Sequence, residues 1–128
     1  MSDAARLVGL WALAEAYRTD PAGQSTPNYG ENPVGRLLYT ADGFISAHIR
    51  AAGSGADAPS SVVAYCGNWR IEDGQVFHDV LTGSNNVASD STVTRRLTWQ
   101  DDDLVLTVEG WRPGETEGTR TLRWRRMD

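Results

Sequence analysis

Residues 62–80 read Val-Val-Ala-Tyr-Cys-Gly-Asn-Trp-Arg-Ile-Glu-Asp-Gly-Gln-Val-Phe-His-Asp-Val. In Val62–Ile71, period two puts Tyr65, Gly67, Trp69 and Ile71 on one face; in Gln75–Val80 it does the same for Val76, His78 and Val80. Between them, Glu72-Asp73-Gly74 offers an Asp-Gly pair, which tolerates positive φ and suits a tight hairpin. Two alternating runs about such a turn specify an antiparallel strand pair with one buried face.

The same grammar extends in both directions. Upstream, Gly35–Thr40 (with Leu37 and Tyr39 together) and Phe44–Ile49 flank the turn Ala41-Asp42-Gly43. Downstream, Val93–Trp99 collects Val93, Arg95, Leu97 and Trp99, and Leu104–Val108 follows the charged turn Gln100–Asp103. Thr119–Arg126 closes the chain with Leu122, Trp124 and Arg126 on one face. The first segment, Leu7–Arg18, is rich enough in Ala for a helix on propensity. Read at period two, it is a strand with Trp11, Leu13, Glu15 and Tyr17 on one side, and that is the reading taken. Asp20–Asn32 is a polar loop, either mobile or a cover, and Thr82–Asp90 and Pro113–Gly118 are further loops. Ala51–Ser61, made of Gly, Ala, Ser and Pro with one Asp, has the composition of a flexible or wide loop. About eight strands with hairpin-scale links predict an all-β antiparallel barrel, whose interior either fills with side chains or holds one small ligand. Closure also removes exposed sheet edges.

The length of 128 residues fits one domain over 1–128. Apolar residues are 40% of the chain, and five Trp and four Tyr add large buried area per residue. A net charge of −5 argues against a nucleic-acid partner. The basic cluster Arg120, Arg123, Arg125 and Arg126 alternates with Leu122 and Trp124 and reads as a solvated strand face. Lysine is absent, which excludes Schiff-base chemistry through a Lys side chain. Cys66 is the single cysteine, so no internal disulfide forms; it is expected to be an inert thiol facing away from Tyr65. With no leader-like start and no apolar run near the roughly 18 residues of a membrane span, a cytoplasmic protein with no membrane partner is expected.

Several segments in order resemble a known family. They are Leu7-Val8-Gly9-Leu10-Trp11 with its Gly-x-Trp, Tyr29–Gly35, Leu37–Gly43, Ala64–Gly67, Val76-Phe77-His78, Arg95-Arg96-Leu97 and Leu122–Arg126. Together they resemble the short bacterial and fungal lipocalin-like domains. The resemblance implies a calycin-type barrel with a central cavity, and a first-strand Trp11 capped by a last-strand Arg126 at the closed end. It implies little about activity. Small barrels of broadly similar build include cofactor-free cyclases and isomerases, an analogy at the level of fold. One departure is that Asp79 and the Thr82–Asp90 loop lack the Pro and aromatic residues expected after the Val-x-His segment.

Inward polar residues on otherwise apolar strands are the candidates for chemistry. His78, between Val76 and Val80, can donate, accept or change charge; the plainer alternative is a core histidine with its hydrogen bonds met. Arg95 needs a carboxylate, a carbonyl or a ligand anion; Glu15, Glu109 or another acid is the partner the protein itself offers, and a register slip would substitute Arg96. Tyr65, with His78 and Arg95, completes the catalytic set. Glu15, Tyr17, Tyr39, His48, Trp69 and Trp99 are the expected ligand-binding residues, with core packing the alternative for the aromatics. Two His without supporting Cys make zinc improbable, Asp101-Asp102-Asp103 lacks calcium-loop spacing, and no phosphate or dinucleotide motif is present; no cofactor or metal is expected.

Three functions remain open. The chain is a cofactor-free cyclase or isomerase folding an apolar, polyketide-like secondary-metabolite intermediate, or a carrier of a small apolar molecule. Otherwise the barrel is filled by its own tryptophans and its surface serves a partner or a homodimer.

Overall fold

The structure, a computed structural model, describes residues 2–29, 32–50, 62–84, 89–110 and 117–127. The expected loop at 51–61, residues 85–88 of the 82–90 loop and most of the 113–118 loop lie outside the described residues.

A one-turn helix α1 (Asp3–Leu7) precedes nine strands. These are β1 (Gly9–Thr19), β2 (Ser25–Pro27), β3 (Val34–Tyr39), β4 (Phe44–Arg50), β5 (Val63–Glu72), β6 (Gln75–Gly83), β7 (Thr92–Gln100), β8 (Asp103–Glu109) and β9 (Thr119–Met127). Each strand from β3 to β9 pairs antiparallel with the next, β1 pairs with β3, and β9 returns to β1, closing an eight-stranded barrel. β2 is a short extra strand on the edge of β1 that β3 leaves free, pairing Tyr17–Thr19 with Ser25–Pro27. The expected all-β barrel is therefore the observed fold.

The two ends differ. At one end, tight hairpins follow the Asp-Gly logic: Asp73 and Gly74 both have positive φ, at 52° and 76°, and Gly43 sits at 97°. α1, unexpected from the sequence, plugs this end. Ser2 caps it by accepting from the Ala5 amide, and Leu7 is fully buried. Beneath it Trp11 donates Nε1–H to the Leu7 carbonyl at 2.9 Å and tilts against Trp99, with ring centroids 6.0 Å apart. Asp3 accepts from Trp99 Nε1 at 3.0 Å, and Arg6 reaches the Asp101 carbonyl at 2.8 Å. The other end carries every long connection, since the strand ends flanking residues 20–33, 51–62, 84–91 and 110–118 all lie there.

The 20–32 segment is in its described part a cover. Asp20 turns the chain by accepting from the amides of Ala22 and Gln24, β2 then pairs with β1, and Asn28 donates its amide to the Ala16 carbonyl at 3.0 Å. Tyr29 packs onto the core.

One irregularity changes the expected faces. In β1 the register against β9 shifts between Leu13 and Glu15. A bulge adds a residue and exchanges sides beyond it. Trp11 and Leu13 are buried as expected, but Ala16 is the next buried residue, and Glu15 is turned out to solvent.

Candidate functional site

Inward residues occupy layers along the barrel. The closed half is solid: Trp11, Tyr39, Ile45, Val76 and Leu104 are fully buried. Towards the wide end a cavity of about 70 Å³ remains, with apolar walls that include Leu37, Ala47, Ile49, Leu106 and Leu122. One water needs roughly 10–15 Å³ on the same scale, so the space admits a small group.

His78 stands at its floor. It is 1% exposed, with Nε2 2.6 Å from the Tyr39 hydroxyl and Nδ1 2.6 Å from the Tyr65 hydroxyl. Burial, reinforced by the nearby Arg95 charge, pushes its pKa down to about 3, so the imidazole is neutral. The same burial raises Tyr39 well above the usual phenol range and Tyr65 to about 12, so both keep their protons. A neutral imidazole donates from one nitrogen only. The Tyr39 hydroxyl is fully buried and reaches no acceptor among the described residues except His78 Nε2. Its proton goes there, because an unmet buried donor costs about 1–3 kcal/mol. The imidazole proton therefore sits on Nδ1 and is donated to the Tyr65 oxygen.

Arg95 lines the cavity from β7. Its Nη1 donates to the Thr94 carbonyl at 3.0 Å, and no carboxylate pairs with it among the described residues. Glu15 and Glu109 are engaged elsewhere. Glu15 pairs with Arg123 at 3.2 Å, and Glu109 with Arg96 at 3.1 Å. Arg96 is thus on the outer face, and the register places Arg95 inside.

The other expected ligand-binding residues do not line the cavity. Glu15 and Tyr17 lie along an open groove of about 460 Å³ outside the barrel, beside Ser25–Pro27, because the β1 bulge reverses their side. His48 is exposed on the outer face of β4, 3.1 Å from the Ser46 hydroxyl, since Ile45, Ala47 and Ile49 take the inner positions. Tyr39, Trp69 and Trp99 point inward but lie too near the closed end. Tyr39 packs edge-on against Trp69 at 5.4 Å, and Trp69 donates to the Thr40 carbonyl at 2.9 Å. Trp99 belongs to the plug under α1.

Four lining residues with polar atoms lie outside the expected set: Asn28, Tyr29, Arg120 and Trp124. The run of arginines in β9 reads as a solvated face, yet Arg120 lines the cavity. The alternation Leu122, Trp124, Arg126 carried back two residues would have found it. Its Nε donates to the Gly110 carbonyl at 3.1 Å. Trp124 is 2% exposed, and its Nε1 is a buried donor with no partner among the described residues. No cluster of three metal-ligating side chains occurs among the described residues, and no described helix is long and apolar enough to cross a membrane.

Residues 8–55 match the lipocalin-like domain family. No curated protein matches the chain significantly. The matched segment runs from β1 through β4, and the closed eight-stranded antiparallel barrel extends the same likeness to the described part of the chain.

Proposed function

We propose that this chain, a lipocalin-like β-barrel by fold and by its family match, binds a small organic molecule in the interior cavity at its wide end. The observation that carries the reading is Trp124. A protein interior seldom leaves a buried donor unmet, and one that lines a cavity is supplied when a ligand brings the acceptor. Apolar walls would hold the rest of the molecule.

A narrower reading makes the chain a cofactor-free cyclase or isomerase. The chain of two 2.6 Å hydrogen bonds through His78, ending at Tyr65 on the cavity, supports proton movement there. The volume of about 70 Å³ speaks against a polyketide-sized substrate, since drug-sized ligands fill roughly 300–1,000 Å³. Binding is the reading the geometry favours.

The test follows the Trp124 indole N–H by NMR while C4 to C10 alkyl compounds are titrated in, with Ala47→Phe filling the cavity. Saturable movement of that resonance in the wild type, lost in a folded Ala47→Phe variant, is expected. An indole resonance that stays still for every compound, or that moves equally in Ala47→Phe, rejects the site.

A further inference from the structure

Of the polar side chains facing the cavity, the Tyr29 phenol can donate or accept, and three others can only donate. Arg95 and Arg120 carry guanidiniums, which donate and never accept. The Trp124 indole only donates, and it is unmet among the described residues. The Asn28 side-chain oxygen already accepts from Arg18 Nε at 3.3 Å. Tyr65 could in principle do either, but the buried network decides it. Tyr39 donates to His78, His78 donates to the Tyr65 oxygen, and the Tyr65 proton is left pointing out of that chain. The protein has 17 acidic residues, yet no Asp or Glu lines the cavity among the described residues. An acidic protein thus lines this cavity with two guanidiniums, an indole N–H and phenols, and with no described acid.

We propose that the cavity selects an organic carboxylate: its two oxygens are received by the Arg95 guanidinium and the Tyr65 hydroxyl, with the Trp124 indole N–H as a further donor, and its apolar body lies against the aliphatic walls. This rests on the reading of the cavity as a ligand site. The half-buried Arg95, which has no acid beside it among the described residues, is the decisive group, because a guanidinium withdrawn from water without an acid is an unbalanced charge that a carboxylate corrects with two parallel hydrogen bonds. Neutral His78 adds no competing charge and serves as a positioning residue, fixing the direction of the Tyr65 proton.

Isothermal titration of the full chain at pH 7 with matched series, from butyrate to decanoate against the alcohols and amines of equal length, tests the assignment. At the best length the carboxylate should bind roughly tenfold or more tighter than its alcohol, and the alkylammonium should not bind measurably. Arg95→Met should bring acid and alcohol within about twofold of each other, and Tyr65→Phe should weaken only the acid, by severalfold. Arg96→Met, on the outer face, should leave the preference intact. Alcohols binding as well as acids, or a preference that survives both Arg95→Met and Tyr65→Phe, would overturn the carboxylate assignment and leave the cavity reading standing. If neither series binds at any length, the cavity reading falls with it.

Discussion

The guanidinium of Arg126 lies over the indole of Trp11, 4.2 Å from carbon to ring centroid, and joins the last strand to the first at the closed end. Arg126 also donates to the Val8 carbonyl at 3.0 Å and to the Arg6 carbonyl, so one fork caps the ring and holds the backbone between α1 and β1. Gly9, at φ 142°, permits the approach, since a Cβ there would come within 2.6 Å of Arg126 Nη1. Arg126→Ala should lower unfolding free energy by about 1–2 kcal/mol, from the lost cation–π contact and the two freed carbonyls. Arg126→Lys should recover less than half, because an ammonium cannot span both carbonyls from above the ring. Urea denaturation of the three proteins measures this.

His78 gives the fold an acid sensitivity. In the unfolded chain the imidazole protonates near its usual 6.5, whereas in the fold burial delays this to about 3. Between those values the unfolded state binds the extra proton, so stability falls as pH falls, by up to about 1.4 kcal/mol per pH unit. Asp79, held below its usual 3.8 mainly by its Thr92 hydrogen bond, acts only at lower pH. Denaturation from pH 7 to 4 should show the slope in the wild type and its loss in His78→Gln. Parallel profiles would mean that His78 is not held neutral by the fold.

Gly67 marks where β5 and β6 approach too closely for a side chain. Register shifts between Cys66 and Gly67, and a Cβ on Gly67 would stand 2.0 Å from the Asp79 carbonyl oxygen and 2.9 Å from the Leu81 amide nitrogen. Both are backbone atoms of the strand that carries His78. Gly67→Ala should therefore destabilise by at least about 2 kcal/mol. It should also shift the NMR signals of His78 more than Gly23→Ala, in the turn between β1 and β2, does.

The strand faces were readable where alternation ran unbroken. Val76, His78 and Val80 in β6 and Arg95, Leu97 and Trp99 in β7 face inward as period two requires. β1 broke the rule at its bulge, and no residue type between Leu13 and Glu15 announces it, so Glu15 and Tyr17 were assigned to the wrong side. Depth was less readable than face. Tyr39 and Trp69 point the expected way but sit a layer below the cavity, a distinction set by barrel stagger rather than by any local pattern. α1 is one turn, held by contacts to Asp101 and Trp99 nearly a hundred residues away, and five residues carry too little periodicity to declare a helix.

Arg95 and Arg96 offer a last comparison, since adjacent residues of one strand bear the same charge in opposite surroundings. Arg96 is exposed and pairs with Glu109 across β7 and β8, where an ion pair contributes no more than about 1 kcal/mol. Arg95 faces the cavity with no acid beside it among the described residues, so only the Thr94 carbonyl offsets its desolvation there. Arg96→Met should leave stability unchanged or slightly lower. Arg95→Met fills similar space without the charge and should raise unfolding free energy by about 1 kcal/mol. A carboxylate bound at Arg95 would add stability that only the wild type can gain. Saturating carboxylate should therefore reverse the order, making the wild type more stable than Arg95→Met. Thermal denaturation with and without the carboxylate of best length reads both halves, and an Arg95→Met protein that is less stable in each condition would assign Arg95 to the scaffold.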